Sequence, residues 1–97
     1  MVRTIILMKL TDQGIKDVKN APERIKKGIE AFEKVGGKMV GFYVVTGKYD
    51  YIAIGESPNE KVAMAFVMGL SSLGNVRTTT VTAFTPEEFG EMVKILP

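Results

Sequence analysis

The first pattern along the chain is a strand-like run. Val2 to Leu10 is aliphatic and β-branched, with Arg3, Thr4 and Lys9 set into it, and Thr11-Asp12-Gln13-Gly14 closes it. Such a run, bounded by turn-forming residues, predicts a β-strand followed by a turn. Asn20-Ala21-Pro22-Glu23 then signals a helix start: a capping Asn, a Pro in the first turn and a Glu three residues on. Ile25, Ile29, Phe32 and Val35 recur on one face of that helix, with Lys26, Lys27, Glu30 and Lys34 on the other, and Gly36-Gly37 ends it.

Met39 to Thr46 and Tyr49 to Glu56 read as two strands joined by Gly47-Lys48. A Gly-X connection predicts a hairpin with a type II′ turn, because Gly accepts positive φ at the first loop position. Ser57-Pro58-Asn59-Glu60 reads as a second capping box, and Ala63, Phe66, Val67 and Leu70 line the helix behind it. Val76 to Phe84 is a fourth strand, rich in Thr. Thr85-Pro86-Glu87-Glu88 caps a short last helix bearing Phe89, Met92 and Val93. The order is β-α-β-β-α-β with a C-terminal helix, which is the split-βαβ, ferredoxin-like arrangement of the α+β class: a four-stranded antiparallel sheet with helices on one face. All 97 residues are expected to form one domain.

A sheet covered on one face only should alternate apolar and polar residues. These strands do not. Pairing across the two-residue turn places Thr46 against Tyr49, Val44 against Tyr51 and Phe42 against Ala53 on one face, with Tyr43, Val45, Ile52 and Ile54 on the other. The first strand repeats this, with Ile6 and Met8 on one side and Ile5 and Leu7 opposite. The second long helix carries no charge between Lys61 and Ser71, and its Met64 and Met68 lie off the main stripe. Two apolar faces and helices enough for one predict a homodimer or higher homo-oligomer. The competing expectation is that the C-terminal helix folds back over the open face.

Composition narrows the chemistry. There is no cysteine and no histidine. Thiol nucleophiles, disulfides, Cys/His metal sites and histidine bases are therefore excluded, and no metal or other cofactor is expected. A cysteine-free chain with no leader-like segment is expected to be cytoplasmic. The net charge of +2, with acids and bases interleaved, argues against nucleic acid as a partner, as does the lack of stacking aromatics of the RNA-recognition kind. Val62 to Leu70, the longest apolar run, is too short to span a bilayer, so no membrane role is expected. No carboxylate spacing resembles a calcium loop, and no Gly-rich phosphate loop follows a strand.

Three segments carry a family resemblance. Gly47-Lys48-Tyr49-Asp50 is similar to the Gly-x-Tyr-Asp signature of the GYD-domain family. Leu73-Gly74-Asn75-Val76-Arg77-Thr78, with Ala83-Phe84-Thr85 beyond it, resembles that family's fourth-strand segment. Leu10-Thr11-Asp12-Gln13-Gly14-Ile15 resembles its first loop. The resemblance runs over essentially the whole chain. It implies a ferredoxin-like fold of the dimeric α/β-barrel type, found in small bacterial and archaeal proteins, and it supplies no activity.

In this fold the first strand lies between the third and fourth and is antiparallel to both. Asp50 then falls near Lys9 and Thr11, with Arg77 across the same end, while Glu56 meets Arg3 at the other. One register satisfies both pairs, setting Ile52 opposite Leu7 and Ile54 opposite Ile5. As a ligand site, Asp50 would be an acid, base or anchor, Lys9 and Arg77 would hold an anion, and Tyr49 and Thr11 would donate hydrogen bonds. The plainer reading has Asp50 bind a neighbouring base or the backbone and hold the hairpin in register, with Tyr49 as cross-strand packing. Three functions stay open. The first is an oligomeric module that binds a small molecule or regulates a partner. The second is a cofactor-free isomerase or oxygenase acting on a small apolar substrate in a cavity with Asp50 and Tyr49 at its mouth. The third is a purely structural assembly unit.

Overall fold

A computed structural model describes residues 1–97. The strands are β1 (Val2–Leu10), β2 (Lys38–Val44), β3 (Tyr51–Ser57) and β4 (Val76–Ala83); the helices are α1 (Asp12–Lys16), α2 (Ala21–Lys34), α3 (Glu60–Ser72) and α4 (Pro86–Lys94). A short 3₁₀ turn, Val18–Asn20, leads into α2. The sheet is four-stranded and antiparallel in the order β2-β3-β1-β4, as a ferredoxin-like fold requires.

The β1–β3 register is the expected one. Arg3 lies opposite Glu56, Ile5 opposite Ile54 and Leu7 opposite Ile52. The hairpin pairs Val44 with Tyr51 and Phe42 with Ala53. Its connection is wider than the two residues expected, because the ladder stops at Val44 and Tyr51; Val45 N–H still donates to Asp50 C=O at 2.9 Å. Thr46 and Tyr49 therefore belong to the loop, where Gly47 takes φ 102°. A bulge between Met39 and Gly41 shifts the far end of β2.

Three local expectations are replaced by other local hydrogen bonds. The Thr11–Gly14 turn is the start of α1: Thr11 is extended and its Oγ1 accepts from Gly14 N–H, so a helical turn forms where a plain turn was expected. Asn20 does not cap α2. The chain arrives from a 3₁₀ turn with Asn20 at ψ 1°, and its amide donates to Asp17 instead. The box at Ser57 is displaced too. Ser57 ends β3 and is buried, and Asn59 is the residue that accepts from Val62 N–H to cap α3. The box at Thr85 forms as expected, with Glu88 N–H to Thr85 Oγ1 and Thr85 N–H to Glu88 Oε1.

The core lies on one face of the sheet. Ile6, Met8, Tyr51, Ala53 and Val76 are buried there beneath Val67 of α3. Phe32 of α2 is also buried and fits against Gly37 and Gly55, where an added Cβ would stand 2.6 and 2.9 Å from its ring. The rings of Phe32 and Phe66 stand 4.8 Å apart where α2 meets α3. Beyond that contact the two helices leave an apolar cavity of about 520 Å³ between themselves and the sheet.

The other sheet face has no helix over it. The C-terminal helix does not fold back: α4 makes no extensive contact with any other element, and Phe89 is 64% and, just past the helix, Ile95 82% exposed. The molecule is accordingly drawn out to 50 × 31 × 20 Å.

Candidate functional site

Asp50 stands where β1 ends and β3 begins. Its N–H donates to Met8 C=O at 2.8 Å, and its Oδ2 accepts from Leu10 N–H at 2.8 Å. Both backbone groups and one carboxylate oxygen of Asp50 are thus engaged by backbone. The bond to Leu10 ties β3 to β1, which goes further than holding the hairpin alone.

Lys9 and Arg77 are register partners across β1 and β4, and both are exposed. Extending the ladder one step past Met8 and Tyr51 sets Lys9 beside Asp50 as well. No ion pair joins Asp50 to either cation; the salt bridges of the molecule are Arg3–Glu56 and Arg24–Asp17. Two cations placed opposite one another repel. This corner therefore presents positive charge to solvent, while the nearby carboxylate is turned into the backbone. Tyr49 lies in the hairpin loop with Lys48 Nζ 5.8 Å from its ring centroid.

Thr11 has its hydroxyl proton and one lone pair engaged by backbone. Its Oγ1 donates to Gly74 C=O at 2.6 Å and accepts from Gly14 N–H at 3.1 Å. Around it is a clamp that sequence reasoning missed. Thr11 N–H donates to Asn75 C=O, and Gln13 Nε2 donates to Leu73 C=O and to Asn75 Oδ1. Gly14 lies so close to the Asn75 carbonyl that no side chain would fit. A signal was present: the two clamped segments are two of those that carry the family resemblance. With Asp50 bound to Leu10, all three motif segments converge on one end of the sheet.

At the opposite end Arg3 Nη2 donates to Glu56 Oε2 at 3.0 Å. Arg3 Nε is buried with no acceptor. Between these charged ends the open face is an apolar band of Ile5, Leu7, Ile52 and Ile54, all half-buried, flanked by exposed Tyr43 and Val81. Neither Asp50 nor Tyr49 lines the 520 Å³ cavity, nor do Lys9, Thr11 or Arg77. No three His, Cys, Asp or Glu side chains cluster as metal ligands, and no helix is long and apolar enough to cross a membrane.

A ferredoxin-like sheet with this first loop, hairpin tip and fourth-strand entry defines a family. The GYD domain family profile matches residues 5–93, and the chain belongs to that family. A Thermus thermophilus protein named glutamine synthetase and cystathionine beta-lyase binding protein is 34% identical over 80 residues, spanning 81% of this chain and 84% of that protein. Among solved structures, a Thermus thermophilus protein superposes with a TM-score of 0.54 at 25% identity, over 88% of this chain and 95% of its own. A feast or famine regulatory protein of M. tuberculosis, solved with L-methionine, shares the fold with a TM-score of 0.65 at 16% identity. The match covers 88% of this chain but 51% of that regulator, so this chain spans about half the regulator's length.

Proposed function

We propose that this protein is a non-catalytic, oligomeric regulatory module that acts by binding other proteins, enzymes among them. The observation that carries the proposal is the uncovered sheet face. Ile5, Leu7, Ile52 and Ile54 form an apolar band with ionic residues at both ends, and no part of the chain covers it. An exposed apolar surface of this kind marks an interface. A second copy of the sheet would bury the band, and α4, with Phe89 and Val93 bare and Ile95 bare just beyond it, would extend the contact. The buried Arg3 Nε supports the same reading, because a buried donor without an acceptor is destabilising until something supplies one. The name of the Thermus relative supports a protein client, since that protein is described as binding two enzymes.

A cofactor-free enzyme fits less well. It needs Asp50 and Tyr49 at the mouth of a cavity, whereas Asp50 is bound to the backbone and neither residue lines the large cavity.

A native mass spectrum at micromolar concentration tests the assembly, and the expected mass is a multiple of the protomer's. A mass of one protomer overturns it. Sedimentation with purified glutamine synthetase tests the client: co-migration is expected, and independent sedimentation removes that enzyme as a partner.

A further inference from the structure

The cavity between α2, α3 and the helical face of the sheet lies on the side of the sheet away from the open face. We propose that it is a binding site for a small amphipathic anion: one hydrocarbon chain or ring bearing a single carboxylate. This goes beyond the oligomeric reading and does not depend on it.

The walls set the chemistry of the occupant. Met8, Val76, Ile25, Ile29, Phe66 and Leu70 present hydrocarbon from the sheet and both helices. A space lined in this way offers water too few partners to hold it in order, and it gains most from apolar atoms. Its volume of about 520 Å³ lies in the range of small-molecule sites, about 300–1,000 Å³. A peptide helix is about 10–12 Å across, so one turn would exhaust the space; a small molecule fits better.

The space is maintained by the sequence. Gly28 of α2 and Gly69 of α3 both line it, and a Cβ built on either meets no atom within 4 Å. Glycine inside a helix costs about 1 kcal/mol relative to alanine. Alanine at either position would therefore favour its helix and meet no obstacle, yet both are empty of side chain.

The charge of the occupant follows from the rim. Apart from Asn75 and the phenol of Tyr51, both neutral, the polar side chains that line the cavity are Arg24 and Lys27, both cations of α2. Arg24 Nη1 is held by Asp17, which fixes the guanidinium, while Lys27 has no ion pair. No carboxylate lines the cavity. An apolar tail inside with an anionic head at Lys27 satisfies both parts of the site.

Decanoate is the probe, titrated into the intact protein by calorimetry and followed by methyl NMR, with decan-1-ol as its uncharged counterpart. Saturable binding of one decanoate per protomer is expected, with shifts at the methyls of Ile29 and Leu70. Lys27→Glu should weaken decanoate about tenfold and leave decanol unchanged. Gly69→Leu should abolish binding without lowering the melting temperature or changing the oligomer mass. Ala65→Leu, on the same wall, serves if Gly69→Leu does not fold. Absence of saturable binding overturns the proposal, as does binding that survives both filling variants. Equal affinity for decanol and decanoate overturns the anionic head. A change in oligomer mass in a filling variant overturns it too, since it would make the cleft a contact between copies.

Discussion

The carboxylate of Asp50 accepts a 2.8 Å hydrogen bond from the backbone N–H of Leu10, forty residues earlier in the chain. The last N–H of β1 thereby finds a charged acceptor where the ladder to β3 runs out. Asp50→Ala would remove that acceptor and leave the part-buried N–H to water. A loss of about 1–3 kcal/mol is expected in urea unfolding. Asp50→Asn keeps an oxygen but not the charge, and should lose less than Asp50→Ala. Equal stability of Asp50→Ala and the parent would mean that the bond contributes nothing in solution.

Thr11 spends one hydroxyl on two jobs, donating to Gly74 and capping α1 through Gly14. Thr11→Val retains the shape and loses both bonds. It should unfold at lower denaturant by about 1–2 kcal/mol. Thr11→Ser should restore most of that stability. Amide exchange at Gly14 offers a second readout, faster in the Val variant and near the parent rate in the Ser variant.

Gly14→Ala tests the closest approach in the clamp. The new Cβ would run into the Asn75 carbonyl, which is backbone and cannot rotate away. A destabilisation of about 1–3 kcal/mol or more is expected, measured by thermal melting. Gly90→Ala, where a Cβ meets nothing, provides the contrast and should be neutral or slightly stabilising.

Leu7→Glu would place a charge in the middle of the open apolar band, between Ile52 and Thr79. Because that face is uncovered within one protomer, the substitution should leave the fold intact by circular dichroism. It should shift the native mass to one protomer. An unchanged multimer would move the interface away from this face.

Glu56→Gln separates ionic from packing effects at the other end. The Arg3–Glu56 pair is part-exposed, with side-chain accessibilities of 42% and 23%, so its net contribution is expected to stay below about 1 kcal/mol. Denaturation at low and at high salt should give nearly the same difference between Glu56→Gln and the parent.

The β-α-β-β-α-β order of elements implied the strand order, and the alternation of Ile5, Ile6, Leu7 and Met8 with the equal spacing of Lys9–Arg3 and Asp50–Glu56 determined the β1–β3 register from sequence alone. Side chains in a strand change face at each residue, so a single slip would have reversed every one of them. The same patterning placed the long helices and the excess of apolar surface. Tertiary structure alone decided where the polar groups went. Asp50 turned to the Leu10 N–H instead of Lys9, Asn20 lost its capping role, and Asn59 replaced Ser57 as the cap of α3. Such choices depend on angles between neighbouring segments that residue spacing does not encode. The cavity beside Gly28 and Gly69 was hidden for a related reason: its volume depends on how two helices separate after Phe32 and Phe66 meet, a distance set by packing in three dimensions.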